Sequence, residues 1–224
     1  MCMKTKKENQ KTDPQPAKCH PIALGSIDEM LAQNEVFISD LLFENDSLNR
    51  FVQEEEFHFN NCQFTHTELN ESTLSANEYL DCRFVRCSFS ASDLSRSRFF
   101  RCQFENCRLS GTLFYDCSFK DVSFSNCLMD YANFGGSSFE RCRYEQCSLK
   151  EGGFSLCRQK HLQFHQCTLQ ECEFAQTSLS GIHLESNDIN GITVSFDDLK
   201  GIYVSREQAL QLVSLLDIHV CDEE

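Results

Sequence analysis

Starting at Phe59, every fifth residue is a large apolar side chain. The series runs Phe59, Phe64, Leu69, Leu74, Tyr79, Phe84, Phe89, Leu94, Phe99 and on to Val204, 30 positions with one polar exception, Gln159. The chain is 41% hydrophobic, so independent placement does not generate such a run. Two residues before these positions stand the cysteines: 62, 82, 87, 102, 107, 117, 127, 142, 147, 157, 167 and 172, twelve of the 15 in the chain. Ser, Thr, Ala, Gly or Val fill most of the remaining places in this class. The unit is therefore small–x–large apolar–x–x. Residues two apart in extended chain share a face, so both marked residues point inward. The other three positions carry nearly all the charge.

A five-residue period fits neither a helix nor a plain strand. It fits a solenoid in which each unit forms one short side and then turns. The column 64, 84, 104, 124, 144, 164 reads Phe, Phe, Phe, Phe, Tyr, Phe, and the next column, from 69 to 169, reads Leu, Phe, Leu, Met, Leu, Leu. Nine of the twelve inward cysteines fall in just two columns. A 20-residue superperiod thus overlies the 5-residue one, which gives four sides per coil. An all-β solenoid of about eight coils, about 4.8 Å per coil, follows. This pattern resembles the pentapeptide-repeat family over about residues 36–220. Its usual unit, Ala-Asp/Asn-Leu-x-x, is approached by the late repeats TSLSG, NDING and DDLKG, while the early repeats are of a Cys-x-Phe kind. The resemblance implies a right-handed quadrilateral β-helix.

The ends read differently. Residues 1–21 hold all three prolines and five lysines and are expected to form a disordered tail. Ser26 and Glu29 make a capping-box pattern for a short helix near 27–33, which would cover the first coil, so residues 1–35 are tail and N-terminal cap. Ile38, Phe43 and Leu48 keep the five-residue spacing. The step from Leu48 to Phe59 is one residue too long, so an insertion falls there. Residues 36–204 are the repeat region. Ser205 and Gln208 form a second capping box for a helix and strand over 205–224, either a lid on the final coil or a dimer contact. From DDLKGIYV to QALQLVSLLDIHV this C-terminus is similar to that of the Qnr and MfpA proteins within the family. That likeness implies a two-fold homodimer formed through Leu210, Leu212, Val213, Leu216 and Ile218.

The formal net charge is −14, which argues against direct binding of nucleic acid or an anionic membrane. No apolar run reaches the roughly 18 residues of a membrane span, and the N-terminus lacks the apolar core of a secretory signal, so a reducing cytoplasmic setting is expected. Neither Gly-x-Ser-x-Gly, nor a phosphate-binding loop, nor His-Glu-x-x-His occurs, and a core filled by side chains leaves no internal pocket. The reading is non-enzymatic, with no cofactor. Cys157, His161, His165 and Cys167 have a metal-like spacing, but the two cysteines belong to the inward class and the two histidines to outward ones. The cysteines are read as packing positions, and stacked columns suit disulfides poorly. Gln159 is expected to bond its amide to backbone.

Surface charge is then the remaining carrier of function. One side holds Glu68, Glu71, Asp130, Glu151, Glu171 and Asp188 against only Arg108 and Lys150. The neighbouring side holds Asp93, Asp116 and Glu173 against Arg96. The other two sides are near neutral. Acidic residues along a rod of duplex width would suit a basic DNA-binding groove. The resemblance to Qnr and MfpA implies a DNA-mimicking protein that binds a type II topoisomerase, DNA gyrase or topoisomerase IV, and protects it from quinolones or toxins, with these nine carboxylates as the partner-binding face. A repeat scaffold for a different protein partner is the alternative. The unbroken register from 59 to 204 excludes the loops that several Qnr proteins project.

Overall fold

A computed structural model describes residues 12–33, 35–53 and 55–213. The five-residue units stack as a four-sided parallel β-solenoid. Its first face is built from β2 (Phe37–Ser39), β4 (His58–Asn60), β6 (Glu78–Leu80) and β8 (Arg98–Phe100). The second face contains β1 (Ala23–Gly25), β3 (Leu41–Glu44), β5 (Gln63–Thr65), β7 (Arg83–Val85) and β9 (Gln103–Glu105). Three eight-residue strands, β10 (Ser118–Ser125), β11 (Ser138–Glu145) and β12 (Arg158–His165), run through both faces and join them into one sheet. The third and fourth faces are held by single bridges per coil, such as Glu68↔Ser88↔Arg108 and Thr73↔Asp93↔Leu113.

All strand pairs are parallel. The offset between partners is 18 residues for the N-terminal pair β1–β3 (Ala23↔Leu41), 21 in the first coil (Ile38↔Phe59, Val52↔Thr73) and 20 from there on (Phe59↔Tyr79, Phe64↔Phe84). Because Phe57 already bonds to Asn77, the extra residue lies between Val52 and Phe57.

Each side ends in a residue with left-handed backbone, at 61, 66, 71, 76, 81 and onward in steps of five. Among the described residues 25 non-glycine positions take this backbone, Asp40, Asn45 and Arg50 of the first coil included, for example Arg101 (φ 51°), Tyr131 (φ 63°) and Leu156 (φ 60°). A left-handed residue other than glycine costs about 1–2 kcal/mol. Stacking repays this in every coil, because the corner amide donates to the coil above, as Arg96 N to Tyr115 O at 2.7 Å.

The core is a set of aromatic columns. On the second face Phe43, Phe64, Phe84, Phe104, Phe124, Tyr144 and Phe164 stack nearly parallel, with centroid spacings of 4.4 to 5.2 Å. Columns on adjacent faces meet edge to face, as Phe99 and Phe104 do at 5.7 Å. Both arrangements favour the ring quadrupoles. Tyr144 is fully buried and its hydroxyl has no partner among the described residues, whereas the Tyr79 hydroxyl accepts from Asn77 Nδ2 at 3.2 Å. An unsatisfied buried hydroxyl costs about 1–3 kcal/mol. Tyr144→Phe is therefore expected to raise the thermal midpoint, with a gain of about 1 kcal/mol, while Tyr79→Phe gives no gain. Parallel melting curves of the two variants check this.

The small inward position has a specific task. Ten of the twelve thiols there donate to the carbonyl of the large core residue 23 positions earlier, for example Cys102 to Tyr79 O (3.3 Å), Cys117 to Leu94 O (3.2 Å) and Cys157 to Phe134 O (3.1 Å); across the insertion Cys62 reaches Ile38 O, 24 positions earlier, and Cys167 bonds to His165 O. Thr112 to Phe89 O (2.8 Å) and Ser137 to Phe114 O (2.7 Å) make the same bond with a hydroxyl. A small side chain with a donor fits, which is why Cys, Ser and Thr share this class. Gln159 is half-buried, and its Nε2 donates to Ser178 O (3.2 Å) and Ser180 O (3.1 Å), the backbone bonding expected of it.

The N-terminal segment departs from the sequence reading. Residues 12–22 lie along the corner between the first and second faces rather than forming a disordered tail; residues 1–11 are outside the described part. Gln163 Nε2 donates to Thr12 O (3.2 Å), Gln15 N to Asp121 Oδ1 (3.1 Å), Lys18 N to Asp81 Oδ1 (3.0 Å) and Ile22 N to Asp40 O (2.9 Å). Arg143 pairs with Asp13, and buried Cys19 donates to Cys62 O at 3.3 Å. Ten extended residues cover about 33 Å, enough for six coil steps of about 4.8 Å. Pro14, Pro16 and Pro21 favour this extended course. The segment works as a strap that grips the rod mainly through its backbone amides, with the Asp13 and Cys19 side chains adding to them.

Helix α1 (Ile27–Ala32) follows, and it buries Ile27 and Met30 over the first coil. Its cap also differs from expectation. Ser26 makes no capping bond; Asp46 Oδ2 accepts the Ile27 amide instead at 3.2 Å. At the other end the expected capping box of α2 (Arg206–Val213) forms, with Gln208 N to Ser205 Oγ at 3.2 Å and Ser205 N to Gln208 Oε1 at 2.9 Å. Buried Gln208 also donates to Leu184 O and Asn187 O, each at 2.8 Å, and so ties the helix onto the last coils.

Candidate partner-binding surface

The solenoid register distributes the nine sequence-selected carboxylates as their columns dictate. Glu68, Asp130 and Asp188 lie on the third face, and Asp93 and Glu173 on the fourth. Glu71, Glu151 and Glu171 stand on the corner between these faces, and Asp116 on the corner between the fourth and the first. All are exposed except Asp93 and Asp130, which are half-buried. Among the described residues only Glu71 has a cationic partner, Arg50 at 2.8 Å. The others bond to neutral donors or none: Asp130 Oδ1 accepts from Ser148 Oγ (2.5 Å) and Lys150 N (3.1 Å), and Asp188 Oδ2 accepts from Gln170 Nε2 (2.6 Å). Their charge is not compensated by a cation among the described residues.

The first and second faces are built the other way. Glu105 pairs with Arg83 (2.8 Å), Glu140 with Lys120 (3.3 Å) and Arg141, Glu78 with Arg98 and His58, and Glu185 with His183 (3.0 Å). On the corner they share, Asp81 pairs with Arg101 (2.5 Å) and Asp121 with Arg141 (2.7 Å). These pairs sit one coil apart in a single column that alternates Asp81, Arg101, Asp121, Arg141. That alternation was visible in the sequence at a 20-residue spacing; the strap over it was not.

Burial alone would push the carboxyls of Asp81 and Asp121 up. Their arginines, together with the strap amides of Lys18 and Gln15, outweigh it and hold both below the usual carboxylate range. A carboxylate with a depressed folded pKa stabilises fully above its unfolded value of about 3.9 and loses that contribution as pH falls through the folded value. Stability is thus expected to be flat in this respect at neutral pH and to fall below about pH 4 as the strap corner protonates. Denaturant midpoints between pH 6 and pH 2.5 measure it. With Asp81→Asn and Asp121→Asn together, the acid-side slope should flatten.

The thiols offer no reactive site. All 13 described cysteines are buried and free, and burial pushes Cys117, Cys142 and Cys172 up to about 12. Cys157 and Cys167 are buried while His161 and His165 are exposed, so this quartet does not converge. Among the described residues no group of three or more His, Cys, Asp or Glu is placed to hold a metal ion. Nor is any described helix long and apolar enough to cross a membrane.

The family model for the pentapeptide repeat region matches residues 97–139 and 137–212, together just over half of the chain. The chain belongs to the pentapeptide-repeat family. Among solved structures, this pentapeptide-repeat protein is similar to two trypsin-treated variants of QnrB1, described as a plasmid-mediated fluoroquinolone resistance protein. The first has 18% identity and a TM-score of 0.47, covering 83% of this chain and 100% of that one. The second has 19% identity and a TM-score of 0.47, covering 91% and 99%. HetL from the cyanobacterium Nostoc, a pentapeptide-repeat protein involved in heterocyst differentiation regulation, aligns at 14% identity with a TM-score of 0.32, over 80% and 94%. No curated protein matches the sequence.

The residues expected to form a dimer contact divide. Leu210 is 51% exposed, whereas Leu212 packs against the core cluster and belongs to the lid over the last coil. Val213 is half-buried, and Leu216 and Ile218 lie outside the described residues.

Proposed function

We propose that this pentapeptide-repeat protein is a non-enzymatic, cytoplasmic DNA mimic that occupies the DNA-binding groove of a bacterial type II topoisomerase, DNA gyrase or topoisomerase IV, and shields it from quinolones. One observation carries the reading. Eight of the nine carboxylates on the third and fourth faces lack a cationic partner among the described residues, while most on the other two faces and their shared corner are ion-paired, with Glu44 and Glu145 among the exceptions. A row of uncompensated charge on one edge of a rigid rod attracts a basic groove as a phosphate backbone does. The C-terminal likeness to Qnr and MfpA supplies the partner, and Leu210 with the segment beyond it supplies a homodimer contact.

The test is a supercoiling assay. Purified protein is expected to restore gyrase supercoiling in the presence of ciprofloxacin, or to inhibit gyrase alone at higher concentration. Glu151→Lys with Glu171→Lys should weaken either effect at least tenfold. No effect at large molar excess over both topoisomerases would leave a scaffold for another protein partner.

A further inference from the structure

Away from the two ends of the rod, every large apolar side chain that is exposed lies on the third or fourth face or at its edge: Leu113, Tyr115, Leu128, Tyr131 and Leu156. The first and second faces present none there. The strap occupies the corner diagonally opposite, so the acidic faces stay clear of it. Three of these residues belong to the fourth face and its edge in two successive coils. Leu113 and Tyr115 flank the core residue Phe114 on one side of a coil, 42% and 46% exposed. Tyr131, 60% exposed, stands on the corner one coil above Gly111. The Tyr115 ring lies flat across Gly135, where a Cβ would meet its Cε2 at 2.8 Å. Glycine at 135 thus lets an aromatic ring lie on the sheet surface. Around this cluster stand Asp130, Glu151 and Glu171, none of them ion-paired among the described residues.

We infer that Leu113, Tyr115 and Tyr131 form an apolar anchor at the centre of the acidic faces, and that it docks into an apolar depression bordered by Arg or Lys on the partner protein. The inference rests on the topoisomerase reading and deepens it. A DNA duplex presents nothing like this anchor, so the surface does more than imitate phosphate. Carboxylates around an aromatic centre match the usual division of labour at interfaces. Buried tyrosines hold the complex, and rim charges steer its encounter. The anchor therefore controls dissociation, while the carboxylates control the salt dependence of affinity.

The columns themselves supply non-disruptive substitutions. Ala91 occupies the corner of Tyr131 two coils earlier with φ 55°, and Ser95 the position of Tyr115 one coil earlier. Binding of purified gyrase to immobilised full-length protein is measured by surface plasmon resonance at 50 to 300 mM salt. Tyr115→Ser with Tyr131→Ala is expected to speed dissociation at least tenfold and to leave the slope of log Kd against log salt unchanged. Glu151→Gln with Glu171→Gln should flatten that slope and change dissociation little. Wild-type binding that the tyrosine variant retains in full overturns this inference and spares the topoisomerase reading. Absence of wild-type binding to gyrase and, in the same format, to topoisomerase IV overturns both. Unchanged melting curves of the variants exclude misfolding as the cause of a loss.

Discussion

Phe104→Ala is expected to lower the unfolding free energy by about 3–5 kcal/mol, the range for deleting a buried phenylalanine side chain. Phe104 is almost fully buried, stacked between Phe84 at 4.4 Å and Phe124 at 4.7 Å, and set edge-on to Phe99 at 5.7 Å. Stacked coils on both sides pin these neighbours, so the site cannot collapse around the void. Phe104→Leu retains most of the volume, and the third-face column already accepts Leu69, Leu109 and Leu149 as core residues. Its cost should stay near or below about 1.5 kcal/mol. Denaturant titrations of both variants separate these values. Equal losses would mean that ring stacking, rather than volume, governs the column.

Asp121→Ala is the second large effect, about 3 kcal/mol by analogy with breaking other buried ion pairs. Asp121 is 1% exposed and joins three parts of the molecule: its Oδ1 accepts from Arg141 Nε and the Gln15 amide, and its Oδ2 from Arg141 Nη2 at 2.7 Å. Removal leaves Arg141 with Glu140 alone, which is why the loss should sit at the low end of the range. The strap loses one of its backbone anchors at the same time. Hydrogen exchange should therefore quicken at residues 13–18 in this variant before it quickens in the coils. If exchange rises uniformly along the rod instead, the strap is not a separately opening element.

The solenoid was legible because each column repeats one physical demand. A residue facing the core of a square coil must be large, its neighbour two places earlier small, and 20 residues later the same rule applies. The four sides, the single insertion after Leu48 and the second capping box at Ser205 all follow from that repetition. The strap did not show itself, because backbone amides of Gln15 and Lys18 make its contacts with carboxylates 106 and 63 residues away, and a backbone donor leaves no trace in residue type. Prolines that favour an extended chain on a rod also favour an unstructured one. Asp46 capping α1 in place of Ser26 is likewise a contact between coils, not between near neighbours. The left-handed corners were concealed by side-chain variety, since Arg, Asp, Glu, Tyr and Leu all serve there.

For the candidate surface, column membership located the nine carboxylates from the sequence. The pairing that silences acidity on the first and second faces emerged only with geometry. Arg83 reaches Glu105, 22 residues on, and Arg101 reaches back to Asp81, so the carboxylates leave a largely paired surface on one edge and an open one on the other. Tyr115 and Tyr131 escaped selection because neither carries charge and both sit in outward classes. Only the shared face, and the glycine beneath Tyr115, brings them to notice.

The most direct measurement is competition for the enzyme. A fluorescent duplex is bound to gyrase and the protein is titrated in at fixed low salt, with fluorescence anisotropy as the readout. The DNA-mimic reading predicts full displacement, with an apparent Kd for DNA that rises in proportion to the protein added. Glu151→Lys with Glu171→Lys should require at least tenfold more protein. Simultaneous binding of duplex and protein, with the DNA affinity unchanged, would contradict it.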